Sequence, residues 1–181
     1  MKVKDLMVPL ADYATVSEDA VLFEVVMALE STEEQFDQAR YRHRAVLVYD
    51  ARKEVIGKVS MLDVLRALDP QYQDLGDIDM LTRFGLGPGL IKTMTKEFSL
   101  LQKPLDEICK KSARIRVRDI MHTPTKGEYV DEDASLNEAI HQLAIGLHQS
   151  LLVTRDGGIV GILRLTDVYR QITAMIKACE L

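Results

Sequence analysis

Ser60 and Asp63 stand three residues apart, where an apolar run gives way to a helical pattern. The phrase that holds them, Gly57-Lys58-Val59-Ser60-Met61-Leu62-Asp63-Val64, is written again as Gly161-Ile162-Leu163-Arg164-Leu165-Thr166-Asp167-Val168. Apolar alternation before the Asp reads as a strand, and the pattern after it reads as a helix. Each Asp therefore falls in a first helical turn, among backbone N–H groups with no intrahelical partner and at the positive end of the dipole. A carboxylate there can accept hydrogen bonds from sugar hydroxyls, and the same N–H groups can face a phosphate. Ser60 with Asp63 also reads as a capping box, which stabilises a helix with no ligand at all. Asp167 recurs without a Ser or Thr at the matching place, which weakens an explanation by capping alone.

A second group of polar residues precedes the strand Ala45-Val46-Leu47-Val48, in the run Arg40-Tyr41-Arg42-His43-Arg44, with Lys58 close by in sequence. Guanidinium, ammonium and imidazole donors around a cleft supply the charge-assisted hydrogen bonds that an anion needs. The bland reading of such a run is a solvated face. The second copy keeps the imidazole and loses the guanidinium, as His148-Gln149. No catalytic constellation appears, neither a nucleophile elbow nor a zinc-protease helix. His141 and His148 lack an acid or Cys partner at ligand spacing, so no metal site is expected. Gly85, Gly87 and Gly89 lack the preceding strand and the Lys-Ser/Thr of a phosphate loop, and read as a turn.

The elements that must position these residues come twice. Lys2-Val3-Lys4-Asp5-Leu6-Met7 matches Arg116-Val117-Arg118-Asp119-Ile120-Met121 at an offset of 114, which also carries Val16, Glu18, Asp19, Ala20, Leu22 and Glu24 onto identical residues. The repeated phrase matches at an offset of 104, and the ten extra residues of the first copy fall around Glu30 to Tyr41. Each copy reads as a short lead strand ending at Asp-x-Met, an acidic turn opening an amphipathic helix, two strands joined by a turn, and a final helix. The expected division is 1–69 for the first repeat, 70–113 for an insert, and 114–181 for the second repeat. One copy alone has a thin core, so the two should pack as a pseudo-symmetric pair. The last helix spaces Val168, Ile172, Met175, Ile176 and Cys179 along one face.

The composition is that of a soluble globular α/β chain, with 181 residues and a formal net charge of −5. That charge argues against a general nucleic-acid binder. Apolar runs are far shorter than a bilayer span and no signal-peptide pattern opens the chain, which points to a cytoplasmic protein without a membrane anchor. The two cysteines, Cys109 and Cys179, stand at no metal or redox spacing and suit a reducing compartment.

With the paired Asp-h-Met entries (Asp5-Leu6-Met7, Asp119-Ile120-Met121) and the paired Gly-h-h-Ser/Thr-x-x-Asp phrases in view, the chain resembles a tandem pair of cystathionine-β-synthase (CBS) domains, the Bateman module. The resemblance covers about three quarters of the chain and leaves only the insert unmatched. It implies β-α-β-β-α units packed through their sheets, with two clefts that take adenosine ligands: AMP, ADP, ATP or S-adenosylmethionine. In that picture the Asp holds the ribose and the Ser/Thr contacts ribose or phosphate, so Ser60 and Asp63 match in full. In the second copy Asp167 is present but Arg164 replaces the Ser/Thr, which either closes that site or offers a guanidinium to a phosphate. His43-Arg44 looks like the phosphate-contacting pair in the gamma subunits of AMP-activated protein kinase. Val16, Ala45, Val130 and Ser150 are the family-position candidates for an apolar adenine slot.

The resemblance thus implies a non-catalytic sensor with one strong and one weak or empty site, assembled as a homodimer. The alternative is a ligand-free protein-interaction or oligomerisation module. The insert has no counterpart in the family. Ile91, Met94, Phe98, Leu101, Leu105 and Ile108 recur at helical spacing there, although Pro104 should break or kink the run. Residues 90–108 would pack on the dimer or meet an outside protein partner.

Overall fold

A computed structural model describes residues 1–35, 45–68 and 104–179 of the chain. The lead segment does not form the expected strand up to Asp-x-Met. Instead Val3–Asp5 closes a 3₁₀ turn in which the Asp5 carboxylate accepts the Lys2 amide at 2.8 Å. Val117–Asp119 makes the matching turn in the second copy. A short acidic side chain that satisfies its own turn competes with extended pairing, which explains the departure.

Beyond these turns the β-α-β-β-α order holds in both copies. In the first, strand β2 (Thr15–Ser17) lies parallel to β3 (Ala45–Tyr49), which pairs antiparallel with β4 (Val55–Ser60). Helix α1 (Leu22–Gln35) follows β2, and the short α2 (Met61–Arg66) follows β4. After helix α3 (Leu105–Ser112) the second copy repeats the plan with β5 (Tyr129–Asp131), α4 (Leu136–Gly146), β6 (Ser150–Arg155), β7 (Gly158–Arg164) and α5 (Leu165–Ala178). Pro104 is the N-cap residue of α3, where its missing N–H costs nothing. Ile108 is buried and Leu105 exposed, while Ile91, Met94, Phe98 and Leu101 lie outside the described residues.

The copies exchange their lead segments. Val3 is fully buried in the core of the second copy, with Leu136, Leu143, Leu151 and Leu163, and its amide donates to the Ala134 carbonyl. Val117 is fully buried in the core of the first copy, with Leu22, Val25, Val46 and Val59, and its amide donates to the Ala20 carbonyl. Strand β1 (Val8–Pro9) then adds to the edge of β7, setting Val8 opposite Ile162. His122 does the same at β4, exchanging both backbone hydrogen bonds with Lys58 at 2.9 and 3.0 Å. Between the sheets Leu47 and Leu152 meet in a third apolar cluster with Val8, Tyr13 and Ile162.

This exchange explains the glycine of the repeated phrase. A Cβ on Gly161 would stand 2.5 Å from the Val8 carbonyl oxygen. One on Gly57 would meet Met121 Sδ at 2.9 Å and the His122 carbonyl at 3.0 Å. Each glycine lets the other copy's lead segment lie flat against its strand.

Candidate functional site

The first of the two expected clefts would lie at the β4–α2 junction. Ser60 ends β4 in extended geometry and caps α2, accepting the Asp63 amide on its hydroxyl at 3.3 Å. Asp63 Oδ2 in turn accepts the Ser60 amide at 2.8 Å and the Ser60 hydroxyl at 2.6 Å. The capping box is therefore present, and it engages only one of the two carboxylate oxygens. Among the described residues the nearest cation to Oδ1 is Arg66, one helical turn on, at 3.9 Å. Ala45 opens β3 directly opposite Ser60 and is half-buried.

Lys58 does not stand open beside this pair. Its ammonium donates to Glu128 Oε2 at 2.6 Å, and His122 Nε2 lies 2.7 Å from Glu128 Oε1, which also accepts the Thr125 amide at 3.1 Å. Burial opposes the charge on Glu128, but the hydrogen bonds from Lys58, His122 and the Thr125 backbone outweigh it and hold the carboxyl down at about 2. This polar triad thus ties strand β4 of the first copy to the lead segment of the second.

The second cleft lies at the β7–α5 junction and is built differently. Arg164 ends β7 and occupies the N-cap position, and its guanidinium turns back onto the first turn of α5. Nε donates to Asp167 Oδ2 at 2.5 Å and Nη2 to Oδ1 at 2.9 Å, with both side chains buried. Arg170 approaches the same Oδ1 at 3.6 Å. Ser150 is buried opposite Arg164 at the start of β6. Burial pushes the nearby Tyr13 hydroxyl up to about 12, the Arg164 charge pulling the other way, so Tyr13 stays neutral. A cavity of about 350 Å³ remains, with Asp5, Asp12, Pro9 and Arg170 on its walls besides the Arg164–Asp167 pair.

The remaining sequence candidates are spread more widely. Val16 and Val130 are buried in the first and second cores, on the short strands β2 and β5. His148 is half-buried with its ring across Gly146, where a Cβ would come within 2.1 Å of Nε2. His43 and Arg44 lie outside the described residues. Sequence reasoning missed His122, Glu128, Arg66 and Arg170. The repeat itself held a signal for the first of these: the offsets set Lys58 and His122 where the other copy has Ile162 and Val8, a polar pair against an apolar one.

The model of the CBS domain matches residues 3–70 and 117–174. The chain belongs to the CBS-domain family. Its two matched regions are the two exchanged copies, so the protein carries a tandem CBS pair. By sequence, no protein of the curated set matches it. Among solved structures, the chain resembles CBSX2 in complex with AMP, at 19% identity, with a TM-score of 0.58 and coverage of 97% of this chain and 98% of that one. The CBS domain of a bacterial CNNM/CorC family Mg²⁺ transporter in complex with ATP is 16% identical, with a TM-score of 0.61 over 96% of this chain and 87% of that one. A CBS-domain protein of unknown function from Bacillus anthracis is also 16% identical, with a TM-score of 0.62 over 96% and 94%. At these identities the likeness establishes the fold. No helix among the described residues is long and apolar enough to cross a membrane.

Proposed function

We propose that this CBS pair is a non-catalytic regulatory module that binds an adenosine nucleotide in the first cleft. The observation that carries the reading is the half-engaged carboxylate of Asp63. Its Oδ2 is used by the Ser60 cap, and its Oδ1 has Arg66 as its nearest cation among the described residues, at 3.9 Å. A vicinal diol donates to such an oxygen, and the Arg66 guanidinium beside it favours an anionic tail. The AMP and ATP complexes of the two similar proteins support an adenosine ligand over other polyol anions. Calorimetric titration with AMP, ADP, ATP and S-adenosylmethionine tests the reading. Binding that weakens by about 1.5–3 kcal/mol in Asp63→Ala, the scale of a hydrogen bond to a charged group, supports it. Absence of heat with all four ligands sinks it.

A second observation favours assembly. Helix α2 exposes Met61, Leu62 and Leu65, and α5 exposes Tyr169, Met175 and Ile176. Apolar side chains clustered this way on helices mark contact surfaces. We infer a homodimer through these helices, and light scattering that shows a monomer at micromolar concentration overturns it.

A further inference from the structure

We propose that Arg164 is a built-in occupant of the second cleft: its guanidinium takes the place of a ribose on Asp167 and so seals the cleft against nucleosides, although the cavity of about 350 Å³ beside the pair keeps its volume. A carboxylate that receives a vicinal diol must turn at least one oxygen that is not already hydrogen-bonded toward the two hydroxyls, each oxygen having two lone pairs to offer. Asp167 has both oxygens engaged, Oδ2 by Nε at 2.5 Å and Oδ1 by Nη2 at 2.9 Å, with Arg170 also 3.6 Å from Oδ1. The fork geometry of a guanidinium matches a carboxylate with two parallel hydrogen bonds, so the pairing is specific as well as charged. Both side chains are withdrawn from water, at 6% and 3% exposure. A ribose would have to displace a charge-assisted pair with neutral donors and leave a buried guanidinium without its carboxylate. The first copy shows what the arginine replaces: with Ser at the same place, both hydrogen bonds from the cap fall on Asp63 Oδ2. The alternative, that Arg164 reaches a ligand phosphate, would have to use guanidinium N–H groups other than the two Asp167 holds, on a side chain only 6% exposed.

The seal rests on the reading of these clefts as nucleoside sites, and one set of titrations separates the two ideas. AMP is titrated into the full chain and into Arg164→Ser, which restores at α5 the cap that Ser60 makes at α2. The expected result is one AMP per wild-type chain and two per variant chain, with the added site lost again in Arg164→Ser/Asp167→Asn. One AMP in both proteins, with circular dichroism and melting temperature showing the variant folded, overturns the seal. Two AMP per wild-type chain also overturns it. None in the wild type but one in the variant upholds the seal and removes the reading of the first cleft. None in either removes both. Should Arg164→Ser fail to fold, Arg164→Lys keeps a cation on the buried carboxylate but reaches only one oxygen. It should open a second site about tenfold or more weaker than the first. Its absence in the folded Lys variant counts against the seal.

Discussion

The two ends of this pseudo-symmetric molecule solve the same packing problem with opposite chemistry. Where Val8 crosses β7, its cross-strand neighbour is Ile162, and both are buried in the apolar cluster between the sheets. Where His122 crosses β4, the neighbour is Lys58, and both reach Glu128. The backbone pairing is equivalent, so the difference lies in side chains alone. An apolar crossing gains from burial without directional demands. A charged crossing must satisfy each donor and acceptor, and it is vulnerable to loss of any one of them. The cleft residues invert the pattern. The end with the apolar crossing holds the buried Arg164–Asp167 clasp, and the end with the charged crossing keeps Asp63 half-engaged.

The largest expected effect comes from breaking the charged crossing on one side only. Glu128→Ala leaves Lys58, 14% exposed at its side chain, without its carboxylate, and should destabilise by about 3–5 kcal/mol in urea denaturation. Converting the crossing to the other end's residues, with Lys58→Ile and His122→Val added, should recover most of that loss, since apolar replacement of a buried pair is often neutral or better. If the triple variant is no more stable than Glu128→Ala, the two crossings are not interchangeable.

A somewhat smaller effect tests the close approach. Gly161→Ala drives a methyl group onto the Val8 backbone at 2.5 Å, and should cost about 1–3 kcal/mol, the scale of overpacking. Gly57→Ala meets first the flexible Met121 side chain, at 2.9 Å, and should cost less. Equal shifts in melting temperature would show that the lead segments yield equally at both ends.

Acid offers a third distinction. The folded carboxyl of Glu128, at about 2, lies below its ordinary value, so its contribution is complete above about 4.5 and fades as pH falls through 2. The wild type should lose stability over that window more steeply than Glu128→Gln. Parallel curves would place the acid sensitivity elsewhere.

The smallest effects fall where the ends are alike. Asp133 pairs with Lys2 and Lys4, and Asp19 with Arg116 and Arg118, all on the surface. Asp19→Asn and Asp133→Asn should each lower the melting temperature only slightly, by similar amounts, and the loss should vanish in high salt.

Much of this was legible in the sequence because it is local. The alternation of Ala45–Tyr49, the Ser60/Asp63 cap and the acidic helix starts depend on neighbours a few residues away. The repeat let one copy be read from the other. The lead segments were misread as strands because the turn at Val3–Asp5 is stabilised by a core more than a hundred residues distant. Arg164 left two readings open, since residue type does not say which anion a guanidinium meets. The 2.5 and 2.9 Å contacts with Asp167 are what the proposed seal is built on. Glu128 gave no signal, because nothing periodic surrounds it and its partners come from two copies.

The exchanged lead segments also set an order of events during synthesis. When the first copy has left the ribosome its core still lacks Val117, and Val3 has nowhere to go until Leu136 to Val168 exist. Neither half can finish before the other is made, so folding should wait for nearly the whole chain and then proceed as one cooperative step. A fragment cut between the copies would carry a vacant groove in its core and a stray hydrophobic end, each the complement of what its missing half supplies.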